Sequence, residues 1–310
     1  MTGTSCIECD CLIIGGGPAG LTAAIYLARY RRNVIVVDEG RSRARYIKSS
    51  YNYPGFTNGI QGEQLLQNLR TQAEEFGAQI ITGKIGNLQK TASGFEASSA
   101  DQAFRSPKVL LASGVIDQSP SLPNMHEFIY EGAVRFCPIC DGYEASDKKI
   151  GVLGPLSHII PKALFLRTYT PDILIFPTDT ADLSLQDMDS LRAAQIELPL
   201  CCATEIKSSE ENVAVILDNG ECIEVDVLYP AMGANPRSGL AIALGAGHNE
   251  DECLFSDSHQ QTSVEGLYIA GDLTTDLSQI SVATGQAAIA ATHIHNSLPR
   301  NFRAHKMLTS

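Results

Sequence analysis

The chain of 310 residues has no apolar run approaching the roughly 20 residues that cross a bilayer, which excludes a membrane-spanning helix. Basic residues are in short supply: 23 Lys and Arg stand against 35 Asp and Glu, for a formal charge of −12. Phosphate backbones are bound by clustered cations, so nucleic acid is excluded as a general partner. No charged segment precedes the first apolar run, CLII at 11–14, and a secretory signal is not expected. The nine cysteines are too few and too irregular for a disulfide framework in a chain this long. A soluble, cytoplasmic protein is the expectation.

With 44% apolar residues the chain can bury a sizeable core, and its length suits two domains. Two basic runs, RYRR (29–32) and RSRAR (41–45), stand out against the acidity. They read as a solvated loop or as arginines near a cofactor phosphate.

The segment DCLIIGGGPAGLTAAIYLARYRRNVIVVDEG carries the parts of a βαβ unit in order. CLII predicts a buried parallel strand, residues 19–30 have helical spacing, and 34–37 predict a second strand that reaches Asp38. Between them, Gly15, Gly17 and Gly20 form G-x-G-x-x-G around Pro18 and Ala19. In such a turn the first glycine permits the bend, the second lets backbone approach a pyrophosphate, and the third lets helix pack on strand. The helix N-terminus offers N–H groups to the pyrophosphate. Asp38 lies where an acid would bind a ribose hydroxyl. Strand, glycines, helix, strand and acid together predict a bound dinucleotide.

Near the other end, GLYIAGDLTTDLSQISVATGQAAIAATHI predicts a strand at 267–270, a Gly271-Asp272 turn and a small-residue helix from near Ser278. Such a strand end can reach a ribityl chain and a flavin ring. An ordinary αβ connection is the alternative, and beside the N-terminal unit the flavin reading is preferred. Two chain ends that build one site imply a domain at 1–117 and 245–310, with a second domain inserted at 118–244.

The middle of the chain carries CPICDG, in which Cys137 and Cys140 form C-x-x-C. Such a pair is half a zinc site or a redox pair. Zinc would need two further ligands, yet Cys201-Cys202 are adjacent and no H-x₃₋₅-H follows at suitable spacing. No metal is expected. As a redox pair the cysteines close a small ring, stiffened by Pro138. Asp141 is placed to exchange a proton with a thiol, or else is a turn residue before Gly142. Cys6 and Cys9 form a second C-x-x-C near the frayed end of the chain and read as incidental.

The order GGGPAG, NYPGF (52–56), LLASG (110–114), CPICDG and IAGDL with SQI (278–280) resembles the low-molecular-weight thioredoxin reductases over nearly the whole chain. The resemblance implies a thioredoxin reductase-like α/β fold, with two Rossmann-like, three-layer dinucleotide-binding domains, one inserted in the other, and a homodimer. It implies FAD held by Gly15, Gly17, Pro18, Ala19, Gly20 and Asp38, with Asn52 and Gly114 near the flavin. Gly271, Asp272, Ser278, Gln279 and Ile280 match the late FAD contacts. Cys140 matches the cysteine facing the flavin, Cys137 the one exchanging with a partner such as a thioredoxin, and Asp141 the acid serving them.

One stretch departs from that family. KKIGVLGPLSHII (148–160) has the rhythm of a second dinucleotide turn, but of its glycines only Gly154 remains. Pro155 has no N–H to offer, Leu156 is expected to place a side chain where backbone should approach the ligand, and Ile159 is bulky where helix meets strand. The following strand, DILIF, ends in Phe176-Pro177-Thr178-Asp179, with no arginine for a 2′-phosphate. NADPH is therefore not expected at this turn. The CPICDGYE form and NYPGF context are similar to the diflavin-linked disulfide oxidoreductases, whose resemblance implies a second FAD and electron flow from dithiol to flavin. A ferredoxin-linked enzyme is the alternative, and docking that acidic partner would call on the basic residues at 29–45. An NADPH enzyme with a reshaped pocket, and a flavin redox sensor without turnover, are two further readings.

Overall fold

The computed structural model describes residues 6–118, 129, 132–180, 183–199, 201–209 and 212–303. Two compact units emerge. The first comprises Met1–Arg45, Gly62–Ile116 and Asn235–Ser310; the second comprises Tyr46–Gln61 and Asp117–Ala234. These borders differ from the expected ones at three places: Tyr46–Gln61 and Asp117 group with the second unit, and 235–244 with the first.

In the first unit, β2 (Cys11–Ile14) lies at the centre of a parallel sheet. It is flanked by β3 (Val34–Asp38) and β8 (Lys108–Leu111). Beyond these lie β4 (Gln79–Thr82) and β17 (Leu267–Ile269), in the order β17-β8-β2-β3-β4. Every residue of β2 and β3 is buried, as expected for parallel strands covered on both faces. Side-chain alternation assigns the faces. Cys11 and Ile13 join a core with α1 (Pro18–Arg29) and α7 (Ile280–Ser297), whose alanines, among them Ala24, Ala28, Ala287 and Ala291, let the layers approach closely. Leu12 and Ile14 face the opposite way, toward Phe95 and Phe104. Those rings belong to a smaller sheet of order β1-β7-β6-β5, formed by Cys6–Glu8, Ala103–Ser106, Gly94–Ser98 and Asn87–Thr91. Helix α2 (Gly62–Glu75) and the short α6 (Gly239–Ile242) complete the unit. Short strands β9 (Val115–Asp117) and β16 (Ala234–Pro236) lie where the chain passes from one unit to the other.

The second unit repeats the three-layer plan. Strand β10 (Ile150–Gly154) runs parallel between β11 (Ile173–Pro177) and β15 (Val227–Pro230). Helices α4 (Leu156–Leu166) and α5 (Leu185–Ala194) contribute Ile159, Ala163 and Leu191 to the core on one face. On the other, the antiparallel sheet of β12 (Ala203–Ser209), β13 (Asn212–Leu217) and β14 (Cys222–Val225) packs through Val213 and Val215. A single helical turn, α3 (Pro138–Asp141), carries the C-x-x-C pair. The chain thus has the expected α/β fold of two Rossmann-like units. Among the described residues no helix is long and apolar enough to cross a membrane.

Candidate active site

The glycine turn of the first unit is shaped by close approach. Gly15 has φ +111°, and a Cβ there would collide with the Ala112 carbonyl. A Cβ on Gly20 would overlap the carbonyl oxygen of Gly15, so helix and turn sit in backbone contact. Gly17 caps α1 without a side-chain hydrogen bond, and Pro18 opens the helix. The first-turn N–H groups have no intrahelical acceptor, so this end presents donors and partial positive charge.

Asp38 ends β3 and is nearly buried. Its Oδ1 accepts from the N–H groups of Gly16 and Gly40, both at 3.1 Å, and its Oδ2 from Arg70 at 2.9 Å. A carboxylate has about four acceptor positions, so three bonds leave one for a hydroxyl. Gly16, Asp38, Gly40, Ser42, Arg45 and Arg70 line a cavity of about 480 Å³.

The late segment meets this turn. A Cβ on Gly271 would lie 3.3 Å from the Ala19 side chain, which places the Gly271-Asp272 turn against the start of α1. Asp272 pairs with Arg43 at 3.2 Å. Gln279 caps α7 through its backbone, its side chain donates to the Ser278 carbonyl at 2.8 Å, and Ile280 begins the helix. Gly114 accepts from the Arg237 N–H at 2.9 Å, beside the Ala112 carbonyl that touches Gly15. Asn52 keeps different company. It lies in the second unit, where its Nδ2 donates to the carbonyl of Ile139, between the two cysteines, at 3.1 Å.

Two further residues organise the first site and were not singled out from sequence. Arg70 of α2 neutralises Asp38. Gln286 of α7, itself buried, accepts from the Gly271 N–H at 2.7 Å and donates to Asp276 at 2.7 Å and Thr274 at 3.2 Å. A polar residue in the second turn of an alanine-rich helix was the available signal.

In the second unit Cys137 and Cys140 are disulfide-bonded, their Cα atoms 5.3 Å apart. Cys137 caps α3, its Sγ accepting from the Cys140 N–H at 3.2 Å. Asp141 follows at once. Burial pushes its carboxyl up from 3.8 to about 6, against the lowering effects of a hydrogen bond from Tyr229 and the charges of Arg135 and Lys162. Tyr229 Oη donates to Asp141 Oδ1 at 2.8 Å, and Arg135 Nη1 to the Asp141 carbonyl at 2.9 Å. A carboxyl that titrates near neutrality beside a dithiol can carry a proton in either direction. Among the described residues no cluster of three His, Cys, Asp or Glu could hold a metal.

The turn at Gly154 is built differently from the one at Gly15. Gly154 still needs φ +152°, and a Cβ there would lie 2.7 Å from the Ala231 carbonyl. Leu156, however, does not project into the turn as expected. Its side chain is buried in the core with Ile159, because the helix rotates that position inward. The turn is altered at the backbone instead: Pro155 caps α4 without an N–H, and the Leu156 N–H donates to Asp179 Oδ1 at 3.1 Å. Asp179, from the loop after β11, thus takes a turn N–H much as Asp38 takes that of Gly16 in the first unit.

The chain matches the family model described as pyridine nucleotide-disulphide oxidoreductase over residues 9–155 and 169–287. The chain belongs to that family. Its match omits 156–168, the stretch that contains helix α4. The thioredoxin reductase of Treponema pallidum is 29% identical over 294 residues, covering 91% of this chain and 94% of the relative. Among solved structures, that of HlmI superposes with a TM-score of 0.86 at 26% identity, covering 96% of this chain and 93% of the other. The atypical thioredoxin reductase TRi from Desulfovibrio vulgaris is 30% identical with a TM-score of 0.53, covering 94% and 99%. With the family established, the protein is a thioredoxin reductase-like, flavin-dependent disulfide oxidoreductase.

Proposed function

We propose that this enzyme moves two electrons between FAD, held by the first unit, and the Cys137–Cys140 pair, with Asp141 exchanging a proton and without NADPH at the Gly154 turn. The contrast between the two turns carries the reading. At Gly15 an uncapped helix start, two close-approach glycines and a cavity beside Asp38 fit a dinucleotide. At Gly154 a proline removes one donor, Asp179 takes the next, and Leu156 and Ile159 stand in place of the second and third glycines.

The candidate holders of FAD are the Gly15-to-Gly20 turn, Asp38, Gly114, the Gly271-Asp272 turn and the α7 start at Ser278, Gln279 and Ile280. FAD, when bound, supplies a two-electron partner for the cysteines. Opening the disulfide takes two electrons and two protons, and closing it returns both. Asp141, poised near pH 6, carries one proton between a thiol and solvent. Asn52 braces the Ile139 carbonyl within the cysteine loop. The external partner is a dithiol or disulfide protein of the thioredoxin kind. A relative from Mycobacterium leprae, a bifunctional thioredoxin reductase/thioredoxin, supports this choice. Electron flow from dithiol to flavin needs no NADPH, and the reverse flow would call on a non-nicotinamide donor such as a ferredoxin.

Anaerobic mixing of the flavoprotein with reduced thioredoxin or dithiothreitol should bleach the flavin, and Cys137→Ser or Cys140→Ser should abolish the effect. Stoichiometric NADPH should leave the spectrum unchanged. Rapid bleaching by NADPH would overturn the proposal. A flavin-to-protein ratio near two, rather than one, would add a second FAD to it.

A further inference from the structure

Strand β15 is buried along its whole length, and its Tyr229 is fully enclosed among Val152, Ile160 and Ala163. Phenylalanine would fill the same space without a polar atom, and a buried tyrosine hydroxyl needs a partner. The partner here lies 88 positions earlier in the chain: Asp141, whose Oδ1 accepts at 2.8 Å. We propose that Tyr229 is a positioning residue for the disulfide step, its hydroxyl orienting the Asp141 carboxyl that exchanges a proton with the cysteine pair. The inference rests on the role given to Cys137, Cys140 and Asp141 above.

The groups around that carboxyl divide by what they hold. Arg135 donates to the Asp141 carbonyl, and Lys162 of α4 donates to the carbonyls of Phe136 at 3.2 Å and Pro230 at 2.8 Å. Both cations favour the ionised carboxyl, whereas Glu144 in the next turn disfavours it. Lys162 therefore ties the residue before Cys137 to the end of β15, and Tyr229 ties β15 to the carboxyl itself. Helix and strand belong to the unit with the altered Gly154 turn; in this chain they brace the cysteine loop.

Chemically, closing the ring removes two electrons and two protons from the dithiol. FAD, when bound, would take the two electrons. One proton leaves through the Asp141 carboxylate, which must be ionised to receive it, and the other passes to water. Losing the hydroxyl removes a hydrogen bond that favours the carboxylate, so the pH at which the carboxylate forms must rise by about one unit or more.

The test is anaerobic flavin reduction of the holoenzyme by dithiothreitol, from about pH 5 to about pH 9. The parent, Tyr229→Phe, Asp141→Asn and the double variant are compared as rate ratios at each pH, so that ionisation of the reagent cancels. The Tyr229→Phe ratio should fall to about one tenth below pH 6 and return toward one above about pH 8. In the Asp141→Asn background the same substitution should change nothing further. A ratio flat across pH, or an equal effect in both backgrounds, overturns the role of Tyr229. If Asp141→Asn leaves the pH profile unchanged, the reading of Asp141 fails instead. Should Tyr229→Phe not fold, replacing tyrosine with a fluorinated tyrosine, a stronger donor, must shift the profile to lower pH; no shift overturns the proposal.

Discussion

Replacing Asp141 with asparagine removes an ionisable group while leaving an oxygen that can still accept from Tyr229. In the folded chain this carboxyl titrates at about 6 rather than 3.8, burial being the main cause. The folded state therefore keeps its proton at pH values where the unfolded state has lost it. Stability must fall as pH rises from about 3.8 to about 6 and stay reduced above that. The interval corresponds to roughly 3 kcal/mol at about 1.4 kcal/mol per pH unit, and partial exposure lowers the figure to about 2 kcal/mol. Asparagine carries no such penalty. Urea unfolding of the oxidised flavoprotein should show the variant gaining about 2 kcal/mol on the parent between about pH 4 and about pH 7. With a slope of ~2 kcal/mol per molar, that is about 1 M in midpoint. A difference that is constant across pH, or that shrinks as pH rises, would refute the reasoning.

Gly20→Ala should fail at the first site, because its Cβ overlaps the Gly15 carbonyl. The separation of helix and turn would cost about 1–3 kcal/mol, and gel filtration should show flavin lost from the folded chain. Gln286→Leu leaves the Gly271 N–H and the Asp276 carboxyl without their present partner. A drop of about 1–3 kcal/mol in thermal stability is expected, along with faster flavin release; unchanged stability and flavin retention would count against the assignment.

The features legible in the sequence are those written within a few neighbouring residues. Glycine spacing at 15, 17 and 20 reports where backbone must bend or touch, since no other side chain tolerates φ +111° or the contact at Gly20. The Cys137–Cys140 spacing reports a ring closed by one helical turn. The loss of donors at Pro155 is equally local. Even there, sequence spacing assigned the obstruction to the Leu156 side chain, whereas packing turned that side chain inward.

By itself, then, the amino-acid sequence determined the two Rossmann-like units, the glycine turn, the cysteine pair and the altered residues of the second turn. Each depends on φ, on a missing N–H, or on the faces that alternate along a strand, all properties of adjacent residues. Only tertiary structure decided that Arg70 meets Asp38, that Asp179 takes the Leu156 N–H, that Gln286 holds Gly271, and that Tyr229 reaches Asp141. These partners stand between 15 and 88 positions apart. Two of the four pairs bridge separate elements, the other two join a helix to a loop, and how the layers pack determines where each buried polar group finds its hydrogen bond.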